Sequence, residues 1–140
     1  MNGDGFADLL VRCGVPGDPI YVVFVAGGPG AVLGRLGSRL YNIDFSNLIG
    51  DVNGDGRGDM QVHDGSGTGG SIRYGVAGSE IAFTEGSASH QGQRLFSPIN
   101  DVNGDGCDDV LQIVGSEARL FLGNPAGLST TASMVLPFVR

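Results

Sequence analysis

The stretch Asp51-Val52-Asn53-Gly54-Asp55-Gly56-Arg57-Gly58-Asp59-Met60-Gln61-Val62 decides how the chain is read. Asp51, Asn53, Asp55 and Asp59 set side-chain oxygens at loop positions 1, 3, 5 and 9. Gly56 allows a sharp turn, and Arg57 can present its carbonyl at position 7. Alternate oxygens on a tightly wound loop converge on one point, which suits a hard cation of flexible coordination. Directly after it, Met60-Gln61-Val62 reads as the start of a strand.

The pattern recurs. Asn2-Gly3-Asp4-Gly5-Phe6-Ala7-Asp8 precedes it by 51 residues, and Asn103-Gly104-Asp105-Gly106-Cys107-Asp108-Asp109 follows by 50. What surrounds each loop recurs as well. Leu9-Leu10-Val11 and Val110-Leu111-Gln112-Ile113-Val114 match Met60-Gln61-Val62. Tyr21-Val22-Val23-Phe24-Val25, Ile72-Arg73-Tyr74-Gly75-Val76 and Leu120-Phe121-Leu122 come next. A last group holds Val32-Leu33, Ile81-Ala82-Phe83 and Met134-Val135-Leu136. Leu48-Ile49 and Pro98-Ile99 precede the second and third loops, whereas the first unit lacks such an opening strand. The middle group around Ile72 alternates at period two, as a half-buried strand does.

Each unit of ~50 residues therefore holds about four short strands, the size of a propeller blade. The expected fold is all-β. It is a single β-propeller segment of three four-stranded blades (residues 1–44, 45–94 and 95–140), the first without its opening strand.

Composition agrees with many tight turns: 26 of the 140 residues are Gly, and charged residues are only 16%. Hydrophobic residues at 41% are too many for a disordered chain. The net charge of −7 leaves no basic stripe for nucleic acid. Nine of the fifteen acids crowd into the three loops (Asp4, Asp8, Asp51, Asp55, Asp59, Asp101, Asp105, Asp108, Asp109), where they repel unless a cation lies among them. No apolar run reaches the ~18 residues of a membrane span, so a soluble chain is expected. The expected metal ligands are Asp51, Asn53, Asp55, Arg57 (carbonyl) and Asp59 in the second loop. The third loop supplies Asp101, Asn103, Asp105, Cys107 (carbonyl) and Asp109. The first loop has no Asp at position 1 and offers Asn2, Asp4, Phe6 (carbonyl) and Asp8. Mg²⁺ prefers fewer protein ligands and more water, so Ca²⁺ is the expected ion.

An EF-hand needs a bidentate Glu at position 12, where Val62 and Gln112 stand, and flanking helices instead of strands. A dockerin-like module shares the Asp/Asn spacing, but its loops lead into helices. Plain Asn-Gly and Asp-Gly hairpin turns would not need so many alternate oxygens. Asp-Val-Asn-Gly-Asp-Gly-x-x-Asp followed by a strand resembles the FG-GAP repeat of integrin-α-type β-propellers. The stretch Leu120-Phe121-Leu122-Gly123-Asn124-Pro125-Ala126-Gly127-Leu128 resembles the later part of that repeat. The resemblance implies a calcium loop joining the first two strands of each blade and an extracellular or cell-surface recognition module. It departs from the family in having three blades, not about seven. Phe45-Ser46 and Phe96-Ser97 stand near where the Phe-Gly pair belongs.

The expected function is non-catalytic: calcium-stiffened adhesion, or recognition of a protein or glycan ligand. The alternatives are a scaffold segment of a secreted hydrolase or lyase and a self-assembling structural module. Three blades also leave open faces, so the chain is expected either to belong to a larger propeller or to pair as a homodimer closing a six-bladed ring. Arg57-Gly58-Asp59 spells a short integrin-recognition motif, but its Asp is wanted by the loop. His63 and His90 belong to no catalytic constellation. Gly65-Ser66-Gly67-Thr68-Gly69-Gly70 lacks the Lys-Ser/Thr of a phosphate loop and reads as a hairpin tip. Cys13 and Cys107 are expected to be free thiols.

Overall fold

A computed structural model of the chain describes residues 3, 5, 6, 8–13, 21–26, 34–36, 45–63, 70–76, 82–89 and 96–138. Among them there are strands and no helix. The first sheet holds β1 (Leu9–Cys13), β2 (Tyr21–Ala26) and β3 (Gly34–Leu36). The second holds β4 (Phe45–Gly50), β5 (Asp59–His63), β6 (Gly70–Val76) and β7 (Ala82–Ser89). The third holds β8 (Ser97–Asn100), β9 (Asp109–Val114), β10 (Glu117–Phe121) and β11 (Met134–Pro137). Every pairing is antiparallel between sequence neighbours, so each sheet is a meander.

All-β architecture thus holds, and the second and third units each have four strands with the acidic loop between the first and second. The first unit enters its sheet at β1, the strand equivalent to β5 and β9. Val32 and Leu33 lie outside the described residues, and the strand there is Gly34–Leu36. His90 and residues 64–69 also lie outside them.

The acidic loops are not two-residue hairpin turns. Gly50 pairs with Asp59 and Asn100 with Asp109, leaving eight residues between the paired ends. A register shift precedes each loop, and both Gly50 (φ 89°) and Asn100 (φ 60°) are left-handed. By contrast, β9 and β10 are joined through Gly115-Ser116 between the paired Val114 and Glu117, with Gly115 left-handed as a tight hairpin requires.

Successive strand residues face opposite sides of a sheet. In β5, Asp59, Met60, Gln61 and Val62 are all buried, so both faces of the second sheet are covered. The clean alternation expected around Ile72 fails for the same reason: Ile72 and Gly75 are both buried, though they lie on opposite faces. The third sheet differs. Val110 and Gln112 are buried, whereas Ile113 on the other face is exposed.

The core lies between the second and third sheets. Ile49, Val52 and Ile72 meet Phe96, Val110, Phe121 and Leu128, with Tyr74 packed alongside. Phe96 and Phe121 stack edge-to-face with centroids 5.2 Å apart. Burying each large apolar side chain there contributes about 1.5–3 kcal/mol. Polar stitches fix the register. Gln61, fully buried, accepts the Phe96 N–H at Oε1 (2.8 Å), and Asn47 donates to the Phe96 carbonyl. The 124–129 segment folds back from the third unit, seating Leu128 in the core and Gly127 against the Tyr74 ring. Burial raises the Tyr74 hydroxyl above its usual pKa.

Candidate metal centre

Asp, Asn and Gly shape each acidic loop through side-chain to backbone bonds that compete with regular structure. In the second loop, Asp51 accepts the N–H of Asp55 at Oδ1 (3.0 Å) and of Gly56 at Oδ2 (2.7 Å). Asn53 accepts from Asp55 (3.2 Å), and Asp55 accepts from Arg57 (2.9 Å). The third loop repeats the net. Asp101 accepts from Asp105 (3.2 Å) and Gly106 (2.8 Å), Asn103 from Asp105 (3.0 Å), and Asp105 from Cys107 (2.9 Å). These backbone N–H donors hold the Asp101 carboxyl below its usual pKa. In both loops the glycines at positions 4 and 6 are left-handed, with φ between 71° and 89°. Gly3 and Gly5 have the same sign at 77° and 85°, so the first loop turns alike there.

Position 9 ties each loop to its sheet. Asp59, fully buried, accepts the Val52 N–H at Oδ2 and the Gly75 N–H at Oδ1, both at 2.9 Å. Asp109 does the same with Val102 and Gly123, again at 2.9 Å. The first-loop equivalent, Asp8, is half-buried. Burial pushes the Asp59 carboxyl up to about 7, against the lowering by Gly75 and Val52 N–H, with Asp51 and Asp55 adding to the rise. An Arg57-Gly58-Asp59 segment with a fully buried Asp offers no carboxylate to an outside receptor.

The loops also stack on one another. Asp51 N–H donates to Asp108 Oδ2 and Asp108 N–H donates to the Asp51 carbonyl, both at 2.8 Å. The Val52 carbonyl accepts the Asn124 N–H at 3.0 Å. The Cys107 thiol is free and buried against Gly54, where an added Cβ would lie 2.9 Å from its sulfur. Burial raises its pKa, which makes it a poor nucleophile. One unit earlier, a Cβ on Gly3 would lie 3.3 Å from Arg57 Cγ, so position 4 meets position 7 of the next loop twice.

Asp51, Asn53, Asp55 and Asp59, and likewise Asp101, Asn103, Asp105 and Asp109, are each gathered on a single loop. Asn2 and Asp4 lie outside the described residues. Among the described residues, no three His, Cys, Asp or Glu side chains form a closed metal cage. The donor set is nevertheless one of oxygens alone, and a carboxylate oxygen that accepts one N–H keeps a second acceptor direction. With a buried carboxyl beside two more, that set fits a hard cation such as Ca²⁺. Asp108, Gln61 and Asn47 were not singled out by the motif. Asp108 was visible only as a surplus acid in the third loop.

At position 7 the two loops differ by one charge. Arg57 Nη1 lies 3.5 Å from Asp55 Oδ2, whereas position 7 of the third loop is Cys107. A partly exposed pair of this kind contributes about 0.2–1 kcal/mol and competes with a cation for Asp55. Arg57→Ala should therefore tighten Ca²⁺ binding at the second loop by up to about fivefold. Titration in an Asp105→Ala background, which silences the third loop, checks it. Weaker binding would contradict the competition.

The chain matches no family model, and no curated protein matches it.

Proposed function

We propose that the chain is a calcium-stiffened β-propeller segment of FG-GAP type, serving extracellular recognition of a protein or glycan and not catalysis. The observation that carries the proposal is the repeated position of the acidic loop. It joins the first two strands of a four-stranded meander, is stitched to that sheet by its position-9 Asp, and abuts the loop of the neighbouring unit. On this reading each sheet is a blade, and the loops form a file along one side of the segment. Ca²⁺ would be held by Asp51, Asn53, Asp55, Asp59 and the Arg57 carbonyl, and by Asp101, Asn103, Asp105, Asp109 and the Cys107 carbonyl. Phe6 and Asp8, with Asn2 and Asp4, would complete a third site. The ion supplies positive charge to a cluster of carboxylates. Extracellular sites of this kind bind at about 10⁻⁴–10⁻³ M, which fills them outside cells.

Calorimetry with Ca²⁺ is expected to detect at least two sites, and Asp55→Ala combined with Asp105→Ala should remove both. Second and third loops that stay metal-free at several millimolar Ca²⁺ would defeat the proposal. For the recognition role, a glycan array and an activity screen on polysaccharides and phospholipids give opposite results for a binding module and a hydrolase scaffold.

A further inference from the structure

We propose that Asp108, a residue of the third loop, is a positioning residue for the cation site of the second. Two bonds tie it to Asp51, the first ligand of that site. Asp108 Oδ2 accepts the Asp51 N–H, and the Asp108 N–H donates to the Asp51 carbonyl, both at 2.8 Å. The Asp51 backbone is thus held at both its polar groups by one residue 57 positions away. The Asp51 carboxylate in turn closes its own loop by accepting the N–H groups of Asp55 and Gly56.

The approach is shaped for this carboxylate. Gly50, just before Asp51, is left-handed, and an added Cβ there would lie 2.3 Å from Asp108 Oδ2 and 2.8 Å from Asp108 Cβ. The Asp108 side chain therefore occupies the space that a side chain at position 50 would take. Before the third loop the equivalent residue is Asn100, which does carry a side chain. Position 8 is Ala7 in the first loop and Gly58 in the second, so neither of those loops can reach back with a carboxylate. A bond from N–H to an ionised carboxylate, half-shielded from water, is among the stronger hydrogen bonds. Partners behind a ligand orient it and are felt in metal affinity even though they never touch the ion. Without Asp108 the Asp51 backbone is freer, and the cost of fixing it falls on cation binding. The inference rests on the calcium reading of the second loop.

The test follows the Gly56 and Gly106 amide signals by NMR while Ca²⁺ is titrated into the unmodified chain, Asp108→Ala and Asp108→Asn. Each amide donates to the first Asp of its own loop and so reports that loop alone. Asp108→Ala should weaken binding at the second loop by about tenfold or more and leave the third-loop midpoint where it was. Asp108→Asn should bind like the unmodified chain, because its amide oxygen accepts the same N–H. A loss caused only by the missing charge would appear in both variants. In chelated protein, Asp108→Ala should speed exchange of the Asp55 and Gly56 amides and not that of Asp105 and Gly106. Asp108→Glu, which keeps the charge but shifts the carboxylate by a methylene, replaces Asp108→Ala if the latter does not melt cooperatively, and should show the same selective loss. An unmoved second-loop midpoint, equal weakening at both loops, or an Asn variant as weak as the Ala variant would each overturn the proposal. Binding at both loops with no effect of Asp108 removes the positioning role alone. Signals in the unmodified chain that ignore several millimolar Ca²⁺ would sink the calcium reading and this inference with it.

Discussion

Saturating Ca²⁺ is expected to raise the melting temperature by roughly 15–20 °C over the chelated chain. A ligand that binds only the folded state stabilises by RT ln(1 + [L]/Kd), about 2.7 kcal/mol per site at a hundredfold excess over Kd. Two sites contribute about 5 kcal/mol, a large share of the 5–15 kcal/mol that separates folded from unfolded domains. The source of that gain is visible in the loops. Asp51, Asp55 and Asp59 lie on one turn with a single guanidinium near them, and the third loop has no guanidinium at position 7. An unchanged melt would mean that the backbone N–H groups alone hold these carboxylates.

The pH dependence of the chelated chain provides an internal check. Asp59 rises from 3.8 to about 7 on folding, chiefly through burial. A carboxyl whose pKa is raised by folding binds its proton more tightly in the folded chain, so ionising it is a cost to the fold. That cost is complete above pH 7 and disappears as the pH falls towards 4. Three pH units correspond to about 4 kcal/mol at most. Chelated protein should therefore gain stability between pH 8 and pH 5. Asp101 acts oppositely, but its lowered pKa confines the loss to pH below about 4. With Ca²⁺ bound, the ionised carboxylate is the favoured form and the gain on acidification should vanish. Urea unfolding at pH 8 and pH 5, with and without chelator, measures both slopes.

The strands were legible because short apolar runs between Gly-rich turns have few other uses. Val110-Leu111-Gln112-Ile113-Val114 falls within β9, and Met134-Val135-Leu136 within β11. The loops were legible because only a few residue types can supply alternate oxygens and left-handed turns together. Burial was not legible. Val52 and Val102 occupy the same place in the same motif, and only the neighbour differs. Period-two reasoning at Ile72 assumed one solvated face, but the second sheet is covered on both. Gln61 read as an ordinary polar strand residue, though it accepts the Phe96 N–H inside the inter-sheet core. Asp59 read as a ligand only, yet its two oxygens also lock the loop to β6. These roles depend on residues dozens of positions away, which a local pattern does not encode.

Gly123→Ala should be the most damaging single methyl addition at the junction, with a loss of about 3 kcal/mol or more. The new Cβ would lie 2.4 Å from the Asp108 carbonyl oxygen, 2.6 Å from the Val52 carbonyl oxygen and 2.9 Å from Cys107 Cβ. The two oxygens are backbone atoms from different units, so neither can swing aside as a side chain would. Forcing them apart also strains the Gly123 N–H bond to Asp109 Oδ1 and the Asn124 N–H bond to the Val52 carbonyl. Gly56→Ala is the matching control. It has nothing within 4 Å of its Cβ but a φ of 84°, so it isolates the left-handed backbone penalty of about 1–2 kcal/mol. Urea unfolding of both variants in saturating Ca²⁺ compares crowding with strain directly. If Gly123→Ala proves milder than Gly56→Ala, the junction yields to a methyl group and the two loops are not held against each other by their backbones.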